Sequence, residues 1–436
     1  MNVATRILRD RVLILAVAGG LAYWFVVAAA YHRVGYSILT CDTRSYADWS
    51  HDLIHGGTID HLPGYPATVA AARVLTAGLL GDEVLMPLLS FCFWIGAIIY
   101  VRRLLTALAP AAVVVGLLLF ALSPEAGPSC ILMAHSDPLY RVLLLGAFWY
   151  AVSREWGRWA VCVGLCLMVN KFAWPNLFLL TLVCLWQYRL PWRYVLAACL
   201  PIGTYCIAMA IHYRDAIWIL RPHYHLHLMP KAGFPLLDGV LGTFARGGMA
   251  MSFKGALLLS TLLVSILLTL WLLPHRKWLL LVMTVPGIAY GVLLNRTEAL
   301  SIVRFADMLV VPFCAWLATR PRLLAVVQSK PFLAAAGVVL LAYQFAWSAY
   351  VVSWQRKTHP ETATATCLFD DPASQSAAKA AFENFRCRIP LTSQTPVSLD
   401  KAGGTNENRF LAGSGRVTGV PSNHESGIFL TGGHFG

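Results

Sequence analysis

The sequence predicts an all-α polytopic membrane protein with about eleven transmembrane helices, and three observations carry the prediction. The chain is 58% hydrophobic and only 13% charged, with a mean hydropathy of +0.63; a water-soluble domain carries about 25% charged residues. Apolar runs recur along most of its length, many near the roughly 20 residues that cross a hydrocarbon core as a helix. Short basic clusters separate the runs, as lysine and arginine do in cytoplasmic loops.

Taken in order, the first run, Val12 to Tyr31, follows the basic leader Arg6, Arg9 and Arg11. It is longer than the core of a secretory signal and ends in Tyr31-His32-Arg33 instead of a small-residue cleavage site, so it reads as a retained span. The later basic clusters are Arg102-Arg103, Arg154 with Arg158, Arg189 with Arg193, Arg276-Lys277, and Arg320, Arg322 and Lys330. Placing all of them inside gives spans at 12–33, 84–101, 109–123, 138–153, 159–170, 175–187, 194–212, 255–273, 278–294, 302–319 and 332–353. The N-terminus is then inside and the C-terminus outside. Pro66 to Leu80 is apolar but short, so it is expected to be a helix on, or dipping into, the outer surface. Residues 1–354 form the transmembrane domain; 355–436 form an outer tail rich in Ser, Thr, Gly, Asn and Pro, partly irregular, with one short helix near Ala373 to Phe385.

The net charge of +13 does not point to nucleic acid, because much of it is arginine that sets topology and faces anionic lipid. Arg214, Arg221, Lys231, Arg246, Lys254, Arg296 and Arg304 fall outside or at outer span ends. The charge rule does not require them there, and they imply an anionic ligand on that face. Most of the eleven cysteines lie within spans as small apolar residues. Cys367 and Cys387, both in the tail, are the pair expected to bridge in an oxidising compartment. No zinc spacing and no paired-acid metal motif is present, so no metal site is assigned.

The densest group of acids and histidines beside a span runs from Cys41 to Pro66: Cys-Asp-Thr-Arg-Ser-Tyr-Ala-Asp-Trp-Ser-His-Asp, then Asp-His-Leu-Pro-Gly-Tyr-Pro. Helical spacing is expected over Ser45 to Ile54, with Asp48 and Asp52 on one face. Asp48, Asp52 and Asp60 read as solvated acids, whereas Asp42 stands at the mouth of the first span. His135-Ser136-Asp137-Pro138 opens a later span; Asp137 is equally a helix cap and a site residue, and His135 is harder to explain as a cap. Asn170-Lys171, Asn295-Arg296 and Arg304 sit at outer span ends, where long basic side chains also serve as anchors. Arg304 and Asp307 are one turn apart and can pair. In the 213–254 loop His223, His225 and His227 alternate; a polar interfacial loop is favoured there over a metal site.

A first span, an outer loop opening with an acid and a nearby tyrosine (Asp42 to Tyr46), an interfacial helix, then Leu-Pro-Gly-Tyr-Pro and an apolar segment together resemble the GT-C superfamily of integral-membrane glycosyltransferases. The second outer loop, running into Ser136-Asp137-Pro138-Leu139, is similar to that family too. The likeness is best over residues 1–190 and is one of layout more than signature. It is closest in kind to the bacterial relatives of mannosyltransferases. It implies a bacterial inner-membrane enzyme with a periplasmic site, a polyprenyl-phosphate sugar as donor, and a periplasmic glycan, lipid or protein as acceptor. It places the catalytic acid at Asp42 and a second acid at Asp137. It makes Arg304 the match to the basic residue that grips donor phosphate. From the residues themselves, Arg296, Lys171 and His135 are further candidates to stabilise a departing phosphate, and Arg221 and His225 in the 213–254 loop are further substrate-binding candidates. No cofactor is implied; the family's paired-acid metal motif is absent, which puts metal dependence in doubt. A polyprenyl phosphate leaves as a stabilised anion, so one carboxylate suffices as general base and direct displacement inverts the anomeric carbon. The competing readings are an O-antigen-ligase-like transferase built on Arg214 to His227, a lipid or solute transporter, and a structural subunit.

Overall fold

The structure is a computed structural model that describes residues 41–56, 62–123, 136–213, 249–293 and 307–342, with short pieces at 14, 17–22, 25–26, 410–411 and 416–417. The fold is helical. Helix α1 is Cys41–Ile54 and α2 is Gly64–Leu75. Helix α3 is Asp82–Leu108, and a 3-10 turn at Pro110–Ala112 leads into α4, Val113–Ala121. Helices α5 (Asp137–Ser153) and α6 (Trp156–Val169) form a tight hairpin. A second 3-10 turn, Lys171–Ala173, opens α7 (Trp174–Gln187), and α8 is Trp192–Tyr213. Then come α9 (Met249–Leu272), α10 (Trp278–Leu293), α11 (Val310–Leu317), α12 (Pro321–Val327) and α13 (Lys330–Ala342). In the tail Phe410–Leu411 pairs antiparallel with Arg416–Val417.

Among the described residues the apolar runs fold as helices, and far fewer than eleven are long enough for a full crossing. Two of the described helices are long and apolar enough to cross a membrane, Val84–Leu108 with 25 residues and Trp192–His212 with 21. A third is reached if α12 and α13, bent by 63° at their junction, count as one span. The physical reason lies in the helix ends. The 14 residues of α6 rise roughly 21 Å, short of a core about 30 Å thick. It stops because Asn170 turns extended (φ −151°, ψ 125°) and Pro175 enters the first turn of α7. Helix α3 corrects a boundary in the other direction: Arg102 and Arg103, expected in a loop, lie inside the helix, which runs on to Leu108.

Helices α3 and α5 are parallel: Gly96 lies against Val142 and Tyr100 is bonded to Tyr150 further along both. Helix α6 runs antiparallel to α5, with the Cys166 thiol facing the Tyr140 carbonyl. Trp159, Tyr140, Phe120 and Phe148 are fully buried among these helices and their neighbours. Helix α8 is the opposite case. Leu196, Leu200, Ile207 and Ile211 recur at helical spacing and are 63–72% exposed. An exposed apolar stripe that long fits a helix long and apolar enough to cross a membrane.

This stacking separates two ends of the bundle. At one, Arg103 lies 5.8 Å from the ring centres of both Tyr100 and Trp149, Arg158 lies over Tyr150, and Arg154 over Tyr188. Three turns at basic positions place arginine in the left-handed region: Arg154 (φ 58°), Arg189 (φ 55°) and Arg276 (φ 51°). Glycine takes that conformation without a Cβ penalty, so arginine is held there against a local cost. The other end of α5 and α6 carries Ser136, Asp137 and Asn170.

Candidate functional site at the amino-terminal end of α5

Helix α1 forms where an amphipathic stretch follows the first apolar run, and Asp42 occupies its first turn. Tyr46 is one turn on, so the two positions share a helix face. The Tyr46 hydroxyl is 3.4 Å from the Ser136 hydroxyl. The Asn170 amide donates to the Asp137 carboxylate at 3.3 Å and to the Ser136 hydroxyl at 3.5 Å. Ser136, Asp137 and Asn170 are all buried. Four segments far apart in sequence thus meet: α1, the start of α2, the start of α5 and the end of α6.

The capping explanation of Ser136-Asp137-Pro138 does not hold. Ser136 occupies the N-cap position, but its side chain makes no capping bond. It turns instead toward Tyr46 and Asn170, so the local motif serves tertiary contacts. Asp137 sits at the positive end of the α5 dipole, which favours its charge.

Tyr65, the tyrosine of the Leu-Pro-Gly-Tyr-Pro motif, is fully buried and packs edge-on to Tyr46 at 5.0 Å. Burial pushes its phenol well above the ordinary value; the neighbouring Ser90 opposes this, while Tyr46 and Asp137 add to it. Tyr65 is therefore a neutral hydroxyl at any physiological pH. The motif's glycine has an equally specific cause. A Cβ on Gly64 would lie 2.7 Å from the Met168 carbonyl oxygen and 2.8 Å from Val169 Cγ2. Helix α2 therefore starts directly against the backbone of α6, two residues before Asn170. Gly64→Val is expected to push α2 off α6 and destabilise the protein by about 1–3 kcal/mol, the range for overpacking. A thermal-unfolding comparison of Gly64→Val with Gly78→Val measures this, since a Cβ at Gly78 meets nothing but carries only φ strain.

A second buried group fixes α1 to α2. The Arg73 guanidinium donates to the Asp82 carboxylate at the start of α3 and to the Ala47 carbonyl at 2.9 Å, and it reaches the Ser50 hydroxyl. Asp52 is exposed, as expected of a solvated acid, while Asp48 is half-buried.

Deeper in the bundle, one turn below Asp137, Arg141 is ion-paired with Asp307 at 2.5 Å, both nearly inaccessible to solvent. Ser123, just after α4, donates to the same carboxylate at 2.6 Å. The structure shows Arg141 as a partner of Asp307; the Arg304–Asp307 pairing rests on Arg304, which lies outside the described residues. Arg141 is not among the expected site residues; the signal it leaves is a lone arginine within an apolar run, a pattern that marks buried or functional charge in membrane proteins.

Of the expected site residues, Asp137 is in the cluster, Lys171 directly follows Asn170 in the 3-10 turn, and Asp42 is placed by the backbone of α1. His135, Arg221, His225, Arg296 and Arg304 lie outside the described residues, as do Asp60, Cys367, Cys387 and the 354/355 boundary. Comparison of the chain with protein families, with curated proteins and with solved structures found no match to any of them.

Proposed function

We propose that the protein is a membrane glycosyltransferase of GT-C type. It transfers a sugar from a polyprenyl-phosphate donor to a periplasmic glycan, lipid or protein acceptor, with inversion. The observation that carries the proposal is the polar cluster itself. A buried carboxylate, Asp137, is held by Asn170 beside Ser136, under a helix whose first turn bears Asp42. These groups gather at the end of α5 opposite the arginine-rich end, where positive-inside topology places the outer face. Such a convergence is what a periplasmic site needs: an acid at the membrane edge, fixed polar groups to orient a hydroxylated substrate, and apolar flanks for an isoprenoid chain.

In this mechanism Asp42 takes the proton of the acceptor hydroxyl as that oxygen attacks the anomeric carbon. The bond to the phosphate oxygen breaks, and polyprenyl phosphate departs with the electron pair. Lys171, Arg296 or Arg304 stabilise that phosphate, arginine being better matched to it geometrically. Asp137 orients substrate hydroxyls through the network it shares with Asn170. The remaining spans beyond the two or three that length and composition identify belong to this proposal, with the N-terminus cytoplasmic.

The test is release of polyprenyl phosphate by the purified protein in vesicles given polyprenyl-phosphate sugars and an acceptor extract. Wild type and His225→Ala are expected to turn over, and Asp42→Asn not to. Loss in His225→Ala alone would move the assignment to the ligase-like reading on the 213–254 loop. Absence of release from every donor sinks both.

A further inference from the structure

We infer that the arginine-rich end of the bundle is a built binding site for anionic lipid headgroups, centred on Arg103 and Arg158 with the Tyr100–Tyr150 pair between them. The inference rests on the membrane reading of the fold and is independent of the proposed activity. Tyr100 and Tyr150 are joined hydroxyl to hydroxyl at 3.0 Å and meet edge to face at 5.8 Å. Arg103 lies over Tyr100 and also over Trp149, each at 5.8 Å; Arg158 lies over Tyr150 at 5.9 Å. The two guanidinium groups thus flank one rigid aromatic unit supplied by α3 and α5, with α6 bringing the second arginine. A guanidinium at cation–π distance from a ring keeps N–H groups available to an oxygen anion. Arg158 spends part of that edge on Glu155 at 2.5 Å, and that pair is exposed, so a phosphodiester can compete for it.

The left-handed arginines support the same conclusion. Arg154 caps α5 beside this unit with φ 58° and lies over Tyr188 at 5.8 Å. Its side chain adds a third cation beside the aromatic unit. Basic pockets between helix ends at the cytoplasmic surface take phosphate-bearing lipid headgroups, each cation adding to the attraction. The chemistry fits a phosphodiester set at the membrane surface, where the acyl chains can lie along the exposed flank of the helices.

The experiment uses the full chain purified in a neutral detergent. Thermal stability and lipid stoichiometry by native mass spectrometry are measured with added phosphatidylglycerol, with phosphatidylcholine, and with inorganic phosphate. Phosphatidylglycerol alone is expected to raise the unfolding temperature and to remain bound. Arg103→Gln combined with Arg158→Gln is expected to weaken that binding at least tenfold, and Arg322→Gln to leave it unchanged. Arg154→Gly is expected to keep or gain intrinsic stability while losing lipid affinity, which separates recognition from folding if the double variant is unstable. Equal response to both lipids, an equal response to inorganic phosphate, or unchanged affinity in Arg154→Gly and the double variant would overturn the proposal.

Discussion

Asp307→Asn is expected to destabilise the protein by roughly 3–5 kcal/mol, the range for breaking a buried ion pair from one side. Asp307 and Arg141 face each other at 2.5 Å with almost no solvent access. Removing the carboxylate leaves the guanidinium charge in a low-dielectric interior without the anion placed to meet it. The Ser123 hydroxyl would lose its charged acceptor as well. Replacing both members with apolar groups is a different change, because it removes the charge along with its partner. Arg141→Leu with Asp307→Leu is therefore expected to recover most of the loss, even though each single substitution is severe. The measurement is the unfolding temperature of wild type, Arg141→Leu, Asp307→Leu and the double variant in one detergent, analysed as a double-mutant cycle, with Asp307→Asn alongside. Near-additive losses would show that the two charges do not act as a pair. The position makes the outcome relevant to the site, since Arg141 is one helical turn from Asp137 on α5 and Asp307 opens the turn that leads into α11.

How much of this was legible in the sequence depends on what kind of signal each residue leaves. The cluster at 41–66 was legible because acids, histidines and tyrosines are conspicuous beside apolar runs, and α1 and α2 overlap the expected helices, α1 beginning at Cys41 ahead of Ser45 and α2 ending at Leu75 short of Leu80. The role of Gly64 was only half legible: the Leu-Pro-Gly-Tyr-Pro motif stood out, but its reason is the backbone of Met168. The meeting of Tyr46, Ser136 and Asn170 joins residues 34 to 90 positions apart, and no local pattern encodes such a contact. Arg73 and Arg141 were missed because a single arginine in an apolar stretch hardly changes its hydropathy. Their partners, Asp82 and Asp307, are separated from them in sequence and belong to other helices. Span count was legible only in part, for a similar reason. Hydropathy reports that a run is apolar, while its length as a helix is decided by turns such as Asn170-Lys171 that interrupt it.

Asp42→Asn is expected to lower kcat for sugar transfer by about 10²–10⁴-fold, the usual contribution of a positioned general base, while leaving KM for the donor nearly unchanged. Asparagine keeps the shape and most hydrogen-bonding capacity of aspartate but cannot accept the acceptor's proton. A loss confined to kcat therefore identifies an interaction made in the transition state, whereas a loss spread into KM would indicate that Asp42 merely holds substrate. Asp52→Asn provides the control, because that acid is exposed, lies on the same helix α1 and changes the charge of the loop by the same amount. The long-range field is altered equally by the two variants, so a deficit in one alone must come from the local position. Equal activity in both would remove Asp42 from the mechanism and leave Asp137, already held in place by Asn170, as the carboxylate to test next.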